Sequence, residues 1–253
     1  MEIASGGDFT VLLMSNGDAH VDPHVSTAGM LRIQTDDREV RYVHVAAGGE
    51  TIGLLRSDGA AEIFGCRPVG WLFQTERWYS RPTTGAGVTY TQMDVEMNHA
   101  VLLQSDGRFV ALATPWQIRD VGQRDVPALR DGLTYARVSA GIWHTVLLLS
   151  NGDAVACGAN AHGQCDIPPL DAGCTYTDAA AGAFHTALCR SDGRVLIFGQ
   201  GGSHQPELEP NLSYVAKVMP TLVLQATLEG RVMRFRALSG EERWGDDCAL
   251  PGQ

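Results

Sequence analysis

Several things are missing from this sequence. No run of consecutive apolar residues approaches the length of about 18 that a membrane span needs. There is no surplus of basic residues: 19 Lys and Arg stand against 29 Asp and Glu, a formal net charge of −10. A protein that holds phosphate backbones by bulk charge needs the opposite balance, so no nucleic-acid partner is expected. The short catalytic motifs are missing as well. There is no Gly-x-Ser-x-Gly elbow, no Walker phosphate loop, no His-Glu-x-x-His and no Gly-x-Gly-x-x-Gly. Nothing therefore asks for a cofactor. Met1–Ser5 has neither a basic stretch nor an apolar one, so no secretory leader is expected in this chain. The six cysteines (Cys66, Cys157, Cys165, Cys174, Cys189 and Cys248) then read as reduced, partly buried thiols, which favours a reducing compartment. Disorder is excluded by an apolar content of 44% in 253 residues.

What is present is a repeat. Ser-Asn-Gly or Ser-Asp-Gly ends at Gly17, Gly59, Gly107, Gly152 and Gly193, with spacings of 42, 48, 45 and 41, and a weaker copy follows at Glu229-Gly230. Other positions keep step. Tyr42, Tyr90, Tyr135 and Tyr176 each lie 17 residues before the glycine. Gly6, Gly48, Gly141 and Gly182 lie 11 before it, with Glu96 as the exception. His99, His144 and His185 lie 8 before it, where the first two units have Phe9 and Thr51. An apolar run such as Val146-Leu147-Leu148 precedes every turn.

Asn-Gly or Asp-Gly between apolar runs is a strong hairpin signal, because the turn needs positive φ. The serine before it can hydrogen-bond turn backbone. The hairpins are expected to join His144–Leu149 to Asp153–Cys157 and Thr186–Arg190 to Arg194–Phe198. Tyr135–Ser139 and Tyr176–Ala180 read as one further strand each. A unit this small cannot bury its own faces and must stack on its neighbours. Short antiparallel sheets recurring at this period predict an all-β fold, a β-propeller with three to four strands per blade. Cutting before each tyrosine gives units 1–41, 42–89, 90–134, 135–175, 176–213 and 214–253, so a single domain spans 1–253. The sixth unit is degraded: Tyr214 is displaced by one, and Thr221–Ala226 only roughly matches the apolar run.

Gly141-Ile142-Trp143-His144-Thr145, running through Ser150-Asn151-Gly152 to Gly163-Gln164, resembles the repeat of the regulator of chromosome condensation family. Gly182-Ala183-Phe184-His185-Thr186 with Ser191-Asp192-Gly193 resembles it again. The resemblance implies a propeller and, usually, a non-enzymatic binding role. Its members differ in function, from a nuclear exchange factor to repeat domains of ubiquitin ligases, so the fold does not by itself assign one. The family customarily has seven blades; six units are recognisable here, and seven remain possible if the ends form a divergent blade.

His99, His144 and His185 are candidate ligands or bases near an axis, or residues that satisfy backbone groups once per blade; recurrence at the repeat period favours the second role, as it does for the turn glycines. Cys157-x₄-His162-x₂-Cys165 lacks the usual zinc spacing and coincides with the family-like Gly-x-Asn-x-x-Gly-Gln stretch, so no metal is expected. The features outside the repeat are two insertions. One carries Trp71, Phe73, Arg77, Trp78 and Tyr79, the other Trp116 and Arg119. Both leave the same hairpin edge, so they are expected on one face of the disc. Trp, Tyr and Arg dominate interface hot spots. These residues either bind a protein partner or fold back to cover blade edges or plug the channel. The expected function is a non-enzymatic interaction scaffold or accessory subunit of a larger complex. Regulation of a small GTPase, including nucleotide exchange, is one alternative. A channel-mouth enzyme or small-ligand binder is the other.

Overall fold

The computed structural model describes residues 1–23, 31–65, 67–69, 72–74, 79–114, 119–130, 132–200, 222–225 and 234–237, which form strands, turns and loops. The first blade is a four-stranded antiparallel sheet of β1 (Glu2–Ser5), β2 (Phe9–Leu13), β3 (Ala19–Pro23) and β4 (Leu31–Ile33). The second holds β5 (Tyr42–Gly48), β6 (Thr51–Arg56) and β7 (Ala61–Gly65). A small hairpin, β8 (Arg67–Val69) with β9 (Leu72–Gln74), precedes its outer strand β10 (Tyr79–Ser80). Three blades of three strands follow: β11 (Tyr90–Val95), β12 (His99–Gln104) and β13 (Phe109–Ala113); β14 (Tyr135–Ala140), β15 (His144–Leu149) and β16 (Ala154–Gly158); β17 (Tyr176–Ala181), β18 (His185–Arg190) and β19 (Val195–Gly199). A last pair, β20 (Leu222–Gln225) with β21 (Arg234–Ala237), brackets Glu229-Gly230. The expected strands are present to within a residue at each end. Tyr214 of the sixth unit lies outside the described residues.

Each tight turn uses the same bonds. Gly17 N–H donates to the Met14 carbonyl at 2.9 Å, and Met14 N–H donates to the Asp18 carbonyl at 2.8 Å. The pattern recurs at Gly59, Gly107, Gly152 and Gly193, whose φ values lie between +78° and +88°. This is a hairpin loop closed by a left-handed residue, the conformation glycine adopts without penalty. The Asn or Asp before each glycine accepts the N–H two residues on, as at Asn151 to Asp153 (3.1 Å). The serine does something other than the sequence suggests. Ser57, Ser105, Ser150 and Ser191 accept not from the turn but from the N–H of residues 41, 89, 134 and 175, which pins the entry of the first strand to the turn.

The core lies between blades. Leu147 of β15, with Val138 of the same blade, packs against Val101 of the preceding blade, while Val146 and Leu148 pack against Tyr176 and Leu188 of the following one. Both faces of each middle strand are thus covered, which is why β12 and β15 are buried at every residue and read as unbroken apolar runs. First strands of successive blades touch one another in chain order, which makes β1, β5, β11, β14 and β17 the inner wall.

Candidate functional site

The repeated residues build the seams between blades. Tyr90 N–H donates to the carbonyl of Gly59 in the preceding blade at 2.8 Å; Tyr42, Tyr135 and Tyr176 do the same to Gly17, Gly107 and Gly152 at 3.2, 2.9 and 2.7 Å. A Cβ on any of these glycines would collide with the residue just before that tyrosine (Arg41, Thr89, Thr134 or Thr175). The turn glycine therefore answers two demands, a left-handed φ and the close approach of the next blade.

The repeat histidines cross the same seams. His99 Nε2 meets Thr145 Oγ1 at 2.7 Å, and His144 Nε2 meets Thr186 Oγ1 at 2.9 Å. Each threonine hydroxyl donates onward, to the Gln123 and Gln164 carbonyls at 2.7 and 2.6 Å. The hydroxyl proton is thus committed, so the ring nitrogen is the donor. Burial holds both imidazoles neutral, with pKa values lowered to about 4. The partner is a threonine of the next blade, whereas the Nε2 of His185 meets the Gln200 carbonyl (2.7 Å). The signal was in the sequence: threonine follows histidine at Thr145 and Thr186, whereas alanine follows at Ala100.

Polar side chains also line the inner wall, and they too are spent across seams. Glu2 Oε1 lies 2.8 Å from His44 Nδ1, whose Nε2 lies 3.2 Å from the Met93 carbonyl. Gln92 exchanges two bonds with the Val138 backbone (3.1 and 3.2 Å). Asp94 accepts from the Ser139 hydroxyl and the Ala140 N–H at 3.0 and 2.9 Å. Burial raises the Asp94 pKa. It also pushes Glu96 up to about 7, with the Asp94 charge adding to it.

No group of three or more His, Cys, Asp or Glu among the described residues converges as metal ligands do. Cys157 donates to the Gln123 carbonyl at 3.6 Å and Cys165 to the Ala159 carbonyl at 3.3 Å. Burial pushes these thiols up to about 12 and about 11.

The insertions start from one end of the blades. Thr51 pairs with Gly65 and His99 with Ala113, so each third strand ends beside the start of the second, away from the Ser-x-Gly turn. Residues 66–78 and 115–118 follow those ends. Of the expected recognition residues, Trp71, Arg77, Trp78 and Trp116 lie outside the described ones. Phe73 and Tyr79 are described in their backbone alone, Phe73 opposite Pro68 and Tyr79 opposite Phe64. Arg119 is exposed, and its carbonyl accepts from Gln123 Nε2 at 3.0 Å. At the same end stand half-buried Trp143 and Phe184, the latter edge-on to His162 with ring centroids 5.2 Å apart.

Sequence reasoning missed the clamp at the root of the first insertion. Glu62, buried in β7, accepts from Tyr42 Oη at 2.6 Å, Arg56 Nη1 at 2.9 Å and Arg81 Nη2 at 2.7 Å. Arg81 follows β10 directly and also reaches Asp36 at 3.1 Å. None of Glu62, Arg81 and Asp36 sits at a repeated position, so periodicity had nothing to say about them.

Residues 135–164, the fourth blade with its turn glycine and its histidine, match the family model described as the regulator of chromosome condensation (RCC1) repeat. The fourth blade is thus an RCC1-type repeat. No curated protein matches the chain's sequence. Several solved structures share its shape. Prp20p of Saccharomyces cerevisiae, described with its binding to Gsp1p and histones, is 14% identical with a TM-score of 0.71, over 93% of this chain and 71% of that one. Yeast RCC1 (Prp20) bound to Kap60 is 14% identical with a TM-score of 0.70, over 94% and 69%. Human WBSCR16 is 12% identical with a TM-score of 0.71, over 94% and 76%. At these identities the likeness is one of fold, that of a β-propeller. Among the described residues no helix is long and apolar enough to cross a membrane.

Proposed function

We propose that this β-propeller protein is a non-enzymatic protein–protein interaction scaffold, or an accessory subunit of a larger assembly, that docks its partner on the end of the blades from which the two insertions depart. The observation that carries this is the strand register, which starts both aromatic- and arginine-rich insertions from the same end. Insertions in repeat proteins commonly supply the binding face. The root clamp of Glu62 with Arg81 supports it, because a recognition loop held at its base loses less entropy on binding. The absence of catalysis is part of the proposal. It draws support from the way the buried histidines and carboxylates are bonded across seams. Cross-linking or pull-down from the native source, comparing wild type with Trp71→Ala/Trp78→Ala, tests the reading. Recovery of a partner is expected to fall at least tenfold, the size of effect that loss of hot-spot aromatics produces. Unchanged recovery would remove the insertion face from the account.

A further inference from the structure

The outer strand of the fourth blade, β16, has no further strand beside it among the described residues and borders a groove. Leu149 N–H donates to the Asp153 carbonyl and Ala159 N–H to the Trp143 carbonyl, both at the edges of the β15–β16 ladder. Antiparallel pairs alternate, so Val155 and Cys157 spend their backbone groups on β15, and Ala154 and Ala156 turn theirs outward. Among the described residues no backbone or side-chain group bonds to those outward groups. Beside this strand lies a groove of about 470 Å³, lined by Pro127, Leu129, Leu133, Ile167, Pro168 and Leu170. The hydroxyls of Tyr135 and Tyr176 hold its walls by donating to the Pro127 and Pro168 carbonyls at 2.8 and 2.6 Å. Prolines in those walls have no N–H to offer the edge.

The chain itself shows what fits such an edge. In the first blade the equivalent strand β3 is covered by β4, with Leu31 opposite Val21, Arg32 opposite His20 and Ile33 opposite Ala19. Arg32 of that strand reaches Asp18, with Nη2 at 2.5 Å and Nε at 3.1 Å. Asp18 follows the turn glycine of the first blade, and Asp153 follows that of the fourth. Only these two of the five full turns read Ser-Asn-Gly-Asp, and in both the asparagine amide bonds the aspartate (2.5 and 2.6 Å). Asp153 is exposed at the groove, its asparagine contact is the same, and no basic side chain among the described residues pairs with it.

We infer that the edge of β16 takes an extended segment of a partner protein with the pattern apolar–basic–apolar, added as a fourth strand, its apolar side chains in the proline-walled groove and its basic residue on Asp153. Strand addition of this kind draws affinity from main-chain bonds and specificity from alternate side chains. The site is at the rim and does not depend on the insertion face.

The probe is the chain's own outer-strand sequence, a blocked peptide Leu-Arg-Ile-Gln-Thr, titrated into the full-length protein and followed by amide chemical shifts. Saturable shifts are expected at Ala154 and Ala156. Asp153→Arg weakens binding about fivefold, the scale of one exposed ion pair, and binds the Leu-Glu-Ile-Gln-Thr peptide better than wild type does. Ala156→Pro, which removes an outward N–H, abolishes binding while shifts in other blades stay as in wild type. Trp71→Ala/Trp78→Ala leaves peptide binding unchanged, which separates this site from the proposed face. Absence of saturable shifts in β16, indifference to the charge swap, or a concentration-dependent dimer that the peptide dissolves would each overturn the inference, the last by making a second copy the occupant.

Discussion

Thr51 stands where later repeats have histidine, and Ala100, at the matching position of the next unit, stands where they have threonine. The Thr51 hydroxyl is fully buried and has no partner among the described residues. A buried hydroxyl without a partner costs free energy that an apolar isostere does not. Thr51→Val is therefore expected to stabilise the protein by about 1 kcal/mol in urea unfolding; a loss of stability would show that the hydroxyl is bonded. The histidines carry a pH dependence of definite sign. His99 and His144 titrate near 4 when folded and near 6.5 when unfolded, so between those values the unfolded chain holds more protons. Stability falls as pH drops through that window, by up to about 1.4 kcal/mol per pH unit for each histidine. Glu96, shifted up from 4.5 to about 7, acts in the opposite sense between those two values, because there the folded chain holds the extra proton. Glu96→Gln removes that opposition, and the fall in stability from pH 6.5 to 4.5 should steepen. An unchanged slope would show that Glu96 does not take up its proton in the folded state.

Elements differ in how plainly they announce themselves. The middle strands β6, β12, β15 and β18 were legible because burial on both faces leaves an unbroken apolar run, and the Ser-x-Gly turn marks where each ends. The outer strands were not. Leu31–Ile33 and Tyr79–Ser80 are too short to show alternation, and they follow stretches that differ from unit to unit. What holds the second of them is Glu62, a buried carboxylate facing two guanidinium groups and a phenol. Removing one member of such a group leaves the others buried without their counter-charge. Glu62→Ala should cost about 3 kcal/mol in urea unfolding, and limited proteolysis should cut within residues 66–78 sooner than in wild type. Equal cutting rates would mean that the insertion is not rooted at Glu62.

Over the whole molecule, the fold was readable because five registers agree at one period, whereas the proposed binding residues lie in the segments that break the period and were singled out only by their composition. Trp71 and Trp78 have no counterparts in the other repeats to fix their roles. The significance of Asp153 emerges only beside Asp18, once β4 is seen to supply Arg32. The thiols give a check on the assembled structure. Burial holds Cys157, Cys165 and Cys189 at about 12, 11 and 11, so almost no thiolate is present near neutrality. Alkylation at pH 8 read by mass spectrometry should leave these three unmodified in the folded protein and label them in urea. Prompt labelling of Cys157 without denaturant would contradict the packing of the seam between the third and fourth blades.

The seam bond from a tyrosine amide to the turn glycine one blade earlier has an evolutionary corollary. The second, third and fourth units each bring the acceptor for their successor and the donor for their predecessor, on the same two residues. A stretch of DNA encoding one unit, duplicated in tandem, delivers a blade already equipped at both borders. Blade number in this architecture is thus free to drift by unequal crossing-over, with no new interface to be invented at the junction.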